Sequence, residues 1–272
     1  MQRQSPLWPW LLAIPLLLGA AWWLFGPDSQ GPDATPAPAK RAAAAVAALT
    51  TGKPPAADAE PRHPLPAAST DAADAAIPTL GKSDEAALQA LQDLLHDDTA
   101  LALVLREHLI QRAVVMIDNL TQPSISRRAL MLQPVPGELQ GSQAAGHTVI
   151  GNDNAARYAP YVAAFTDVDP QALVRSYRRF YPLIQQAYAE LGAPDRYFND
   201  RLIDVIDHLL RTPTPQQPIV VVADGRGRYR FADPALESLS VGQKALLRLG
   251  PTQQAAVAAQ LQQVRAALVQ GR

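Results

Sequence analysis

The hydrophobic positions along the chain fall into three successive regimes. From Trp8 to Phe25, WPWLLAIPLLLGAAWWLF, an apolar run carries no charge. Its length is near the lower limit for a helix crossing a bilayer core. Trp8 and Trp10 stand at one end and Trp22, Trp23 and Phe25 at the other, as at the two interfaces of a membrane. From residue 26 to 79 large apolar residues almost vanish and Pro, Ala, Asp and Thr take over. Such a stretch buries too little surface to offset its chain entropy and reads as a disordered linker. From residue 80 onward apolar residues return at helical spacing, and this part reads as one folded, mainly helical domain.

Within the domain, Ser83 followed by Asp84 and Glu85 predicts a capped helix with Leu88, Leu91 and Leu95 as its stripe. Residues 99–120 predict a second helix. It is apolar over so much of its circumference that it should lie centrally. Inside one of its apolar faces His108, Arg112 and Asn119 fall on one ridge. If buried, they require partners. Residues 121–156 read as an irregular stretch broken by prolines and glycines, with one short strand near Thr148–Ile150. Asp169-Pro170 predicts a helix start, and the apolar phase persists across Pro182 to Leu191, with Gly192 and Pro194 ending it.

Residues 198–210, FNDRLIDVIDHLL, place Phe198, Leu202, Ile203, Val205, Ile206, Leu209 and Leu210 inward. Asp200, Asp204, Asp207 and Arg211 line the outer face, with Arg201 and His208 beside them. Two short strands around DGRG, Asp224–Gly227, predict one small β-hairpin. Asp233-Pro234 and Ser240 with Gln243 start two further helices. Val257, Leu261, Val264 and Leu268 form a narrow seam on the last one, which should dock on the domain or on a partner helix.

Composition removes several chemistries. The 272 residues include no cysteine, so disulfides, thiolate catalysis, cysteine zinc sites and a lipid-anchor cysteine are excluded. A net charge of −1 supplies no field to recruit nucleic acid. GRGR lacks the glycine spacing and following helix of a phosphate loop. The candidate functional residues are therefore few. His108, Arg112 and Asn119, joined by Asp207 at the apolar border of its helix, form a candidate buried polar cluster. Arg175, Arg178 and Arg179 share one helix face and form a candidate anion-binding surface. Asp204, Asp207 and His208 have the spacing of metal ligands, but one helix face offers fewer than the three or four convergent ligands that zinc takes. The metal reading is the weaker alternative, and no cofactor is expected.

The segments RYAPYV, YPLIQQAYAELG, FNDRLIDVIDHLL and FADPALESLSVGQKALLRLGP, in that order, resemble an uncharacterised proteobacterial family, domain of unknown function three thousand and fourteen. The resemblance implies a single-pass protein with a proline/alanine leash and a helical domain. It assigns no activity, substrate, cofactor or site residue. The expected organisation is a cytoplasmic tip and transmembrane anchor at 1–25, a linker at 26–79 and a helical periplasmic domain at 80–272. Residues 8–25 would sit in the bacterial inner membrane, oriented by Arg3 on one side and Asp28 and Asp33 on the other. A binding or scaffold module of the cell envelope is the first functional expectation, with an envelope protein or peptidoglycan as partner. A hydrolase of an envelope polymer or a metal-dependent enzyme is the alternative. The absence of a recognisable catalytic set leans away from an enzyme.

Overall fold

The computed structural model describes residues 60–65, 77–95, 98–126, 129–225 and 228–270. The anchor run 8–25 and the linker residues 26–59 and 66–76 lie outside these. No helix among the described residues is long and apolar enough to cross a membrane. A short 3-10 turn, Leu80–Lys82, leads into α1 (Asp84–Leu94), α2 (Asp98–Ala102) and α3 (Leu109–Asn119). A hairpin follows, β1 (Gly141–Ala144) and β2 (His147–Ile150), then a 3-10 segment at Asn152–Tyr158. Next come α4 (Ala159–Thr166), α5 (Pro170–Glu190) and α6 (Phe198–Leu210). A second hairpin, β3 (Val221–Ala223) and β4 (Tyr229–Phe231), precedes α7 (Pro234–Glu237), α8 (Val241–Arg248) and α9 (Pro251–Gln270).

The central helix is α5, which packs against α3, α9, α1 and α6. Its start follows from local chemistry. The Asp169 carboxylate accepts from the backbone N–H groups of Gln171 and Ala172, and Pro170 needs no partner for its nitrogen. Pro182 lies inside the helix without ending it, and Gly192 closes it with φ of +98°. The seam of α9 docks inward: Val257, Leu261, Val264 and Leu268 are buried against α4, α5 and α6.

The helix expected over 99–120 is two helices. Between α2 and α3 the backbone turns aside: Leu105 N–H donates to the Met131 carbonyl, and Gln133 N–H donates to the Leu103 carbonyl. His108 takes a left-handed conformation, φ 54°. The apolar circumference that reads as a central helix is thus shared by two pieces that bury different faces, with Leu101 and Val104 before the break and Leu109, Ile110 and Ile117 after it. Asp84 stabilises the restart from a distance, its carboxylate accepting from the backbone N–H groups of His108 and Leu109, both at 2.8 Å. Ser83 does not cap α1; its hydroxyl donates back to the Leu80 carbonyl.

The structure holds two hairpins where the pattern predicted one. The β1–β2 turn is Ala145-Gly146, both with positive φ, the backbone form that matches strand twist in two-residue hairpins. Ile150 N–H donates to the Ile219 carbonyl, and Val149 bridges Val220, so the stretch before β3 runs beside β2. The 121–156 region is therefore partly ordered by a partner distant in sequence.

Candidate functional site

The polar face of α6 is engaged along its length. Its apolar face closes the core, with Phe198, Leu202, Ile203, Val205, Ile206 and Leu209 all buried. Its polar side chains hold several other elements. Arg201 donates to the Asp118 carboxylate at 2.6 Å and to the Thr121 hydroxyl at 2.7 Å, tying α6 to the end of α3. Asp207 accepts from Arg265 of α9 through both carboxylate oxygens. His208 shares a 2.8 Å hydrogen bond with Ser240. Ser240 itself forms a capping box with Gln243 at the start of α8.

The first turn of α6 holds something the pattern did not anticipate. Residues 60–65, EPRHPL, lie across it, inside the stretch expected to be linker. The Asp200 carboxylate accepts two successive backbone N–H groups, Arg62 at 3.0 Å and His63 at 2.8 Å. The Asn199 side-chain amide donates to the His63 carbonyl at 2.7 Å. The Arg62 guanidinium donates to Asp204 at 2.7 Å and lies 3.8 Å from Asp200. Pro61, His63 and Leu65 are half-buried, while Glu60, Arg62 and Pro64 are exposed; that alternation is the two-residue period of an extended strand. Leu65 packs on the edge of the core. Beside this strap opens a cleft of about 490 Å³, lined among others by Asp118, Tyr188, Arg196, Tyr197 and Arg201.

The electrostatics follow these pairings. The Arg265 hydrogen bond holds the Asp207 carboxyl below the usual carboxylate range, against a smaller opposing effect of burial. His208 is pushed down by burial first and by Arg211 and Arg201 second, so its imidazole is neutral near pH 7. The Arg62 guanidinium is raised by its hydrogen bond to Asp204.

A second concavity, about 570 Å³, lies between the 214–219 segment, residues 150–155 and the α8–α9 junction. Arg248 is on its wall and only 1 % exposed. Its guanidinium stacks 4.3 Å from the Phe231 ring centroid and donates to the carbonyls of Lys244 and Tyr229. Burial pulls its pKa down to about 9. These contacts join α8 to the second hairpin, so Arg248 is accounted for as a packing element.

The residues singled out by pattern are placed apart. His108 is exposed. Arg112 donates to the carbonyls of Glu107 and Leu130, and the Asn119 amide to the Val115 carbonyl. The ridge does not act as one group: His108 is exposed at the N-cap of α3, and Arg112 and Asn119 each turn to nearby backbone carbonyls. Asp207 joins Arg265 instead of this group. Asp204, Asp207 and His208 are taken by Arg62, Arg265 and Ser240 respectively and so point into different contacts. Among the described residues no group of three or more His, Asp or Glu converges as a metal site. Of the arginine face, Arg175 is exposed and lies 3.8 Å from Asp169, whereas Arg178 and Arg179 are half-buried. Burial lowers the Arg179 pKa. Residues 60–65 escaped the pattern reading; their signal was an Arg-His pair and a leucine amid Pro and Ala.

The fold and this face define a mainly helical domain that holds an extended segment across the start of one helix. Residues 109–265 match the family described as "Protein of unknown function (DUF3014)", and the chain belongs to that family. No curated protein and no solved structure matches it.

Proposed function

We propose that the protein is a membrane-tethered binding or scaffold module of the bacterial cell envelope, anchored through residues 8–25 with its helical domain in the periplasm. The observation that carries this reading is the seating of an extended segment on α6 through contacts to its backbone. That is how domains hold strands of other polypeptides. The uncharged apolar run with tryptophans at both ends supports the anchor, and the Pro/Ala composition of residues 26–59 supports a spacer. Tyr197, 39 % exposed, lines the cleft, where a partner would meet the domain.

Two measurements test the reading. A carboxy-terminal alkaline-phosphatase fusion is expected to be active in intact cells, and an inactive fusion refutes the orientation. A photo-crosslinking residue at position 197 is expected to give one discrete protein adduct in cells. Adducts to peptidoglycan alone would replace a protein partner by the cell wall, and no adduct at all would refute a binding role for this surface.

A further inference from the structure

The strap at residues 60–65 is held as a peptide ligand is held. Asp200 reads two consecutive main-chain N–H groups and Asn199 reads the next carbonyl; such contacts recognise extended backbone and tolerate many side chains. Pro61 and Pro64 bracket the two residues that supply these N–H groups. Proline biases itself and the residue before it toward extended conformations, which lowers the ordering cost of binding. One side chain, Arg62, adds selectivity by reaching Asp204.

The fit is incomplete in a way that points outward. Asn199 is only 1 % exposed, and its amide faces the strap, yet its side-chain oxygen has no hydrogen-bond partner; neither has Nδ1 of His63, also buried. Buried polar atoms are rarely left so. A segment offering a donor to Asn199 would satisfy the groove better than the resident one. The neighbouring cleft of about 490 Å³ adds room for side chains that the strap does not fill.

We propose that this face of α6 is a recognition groove for extended, proline-bounded segments carrying an arginine, that residues 60–65 occupy it in cis, and that a partner protein's segment of the same chemistry displaces them. The proposal rests on the binding-module reading and names its ligand. Residues 66–76 join the strap to the domain, and a connection of that length gives an effective concentration of order 1 mM. A strap that is docked most of the time therefore implies an intermolecular Kd at or below about 1 mM, within reach of direct titration.

The experiment uses the full chain in detergent and a fluorescent peptide of the sequence DAEPRHPLPA, residues 58–67. The chain carrying Arg62→Pro and Leu65→Ser together loses one N–H read by Asp200, the pair with Asp204 and the Leu65 contact, and so frees the groove without altering α6. It is expected to bind the peptide saturably, at least about ten-fold more tightly than the unsubstituted chain, whose own strap competes. Adding Asp200→Ala should abolish binding. An Arg62→Ala peptide should bind more weakly than the native sequence. Circular dichroism melts identify any variant that has lost its fold; if Asp200→Ala is one, Asp204→Ala replaces it and must weaken binding.

Two results overturn the proposal: a folded, strap-released chain that does not bind the peptide at several-millimolar concentration, or equal binding by the strap-released and unsubstituted chains. Dimerisation of the unsubstituted chain that the double substitution abolishes would make the occupant a second copy and overturn the foreign partner. Failure of the titration leaves the anchor and position-197 crosslinking results untouched, so the two readings fail separately.

Discussion

Asp200 shows how little a residue's type says about its role. At the third position of α6 a carboxylate is ordinary, since it sits well with the helix dipole. Here it also accepts two N–H groups from a segment more than a hundred residues away in sequence. The amides of Arg62 and His63 are thus expected to exchange with solvent more slowly than the amide of Leu65, which has no described acceptor. Asp200→Ala should erase that protection, as read by hydrogen exchange. Asp207 carries the pH dependence. Its pKa is lowered in the folded state by Arg265, so its contribution is present above the ordinary carboxylate pKa of about 4 and is lost as pH falls through the depressed folded value. Both side chains are about one-third exposed, which limits the pair to at most about 1 kcal/mol. Asp207→Asn should flatten the fall in stability below about pH 4 in urea melts; an unchanged acid limb would count against the pairing.

Elements were legible where their ends are written in neighbouring residues. Asp169 before Pro170, Asp233 before Pro234 and the Ser240–Gln243 box each cap the helix expected of them, because a cap acts within three residues of itself. What was illegible is non-local. The break after α2 depends on pairing with residues 131–133, and the restart of α3 depends on Asp84, whose own neighbourhood suggests only a first-turn acid. Asp84→Ala should therefore destabilise the domain by about 1–2 kcal/mol through loss of this cap, measured by urea denaturation, although Asp84 belongs to α1. β1 escaped notice because three of its four residues are exposed and carry no hydrophobic alternation. Close packing between elements leaves a similar trace at Gly242. A Cβ there would lie 2.8 Å from the Leu120 carbonyl oxygen and 2.6 Å from a Leu209 methyl. Gly242→Ala is expected to cost about 1–3 kcal/mol by overpacking, despite alanine's better helix propensity. An unchanged melting temperature would show that α8 can shift away.

At the scale of the whole molecule, hydrophobic pattern located the core. The inward face of α6 and the seam of α9 are buried as expected. Pattern misjudged the outer faces for one reason: a polar residue's partner is chosen by tertiary placement, which periodicity does not encode. The polar face of α6 looked like a solvated surface or a metal site; it is a junction that receives α3, α9, α8 and the strap. Core substitutions there should act globally. Ile206, fully buried, is expected to cost about 2–5 kcal/mol on truncation to alanine, with a single cooperative transition in urea showing that α6 and its neighbours unfold together.

The strap also decides where a pull on the amino-terminal side enters the domain. With residues 60–65 docked, the chain on their amino-terminal side reaches the domain at the first turn of α6 and not at Leu80. Load arriving along it meets the Arg62–Asp204 pair and the Asp200 contacts before it meets Leu80. Those few polar bonds are weaker than the core behind them. Tension would therefore peel the strap from α6 first, while the fold behind it stays intact.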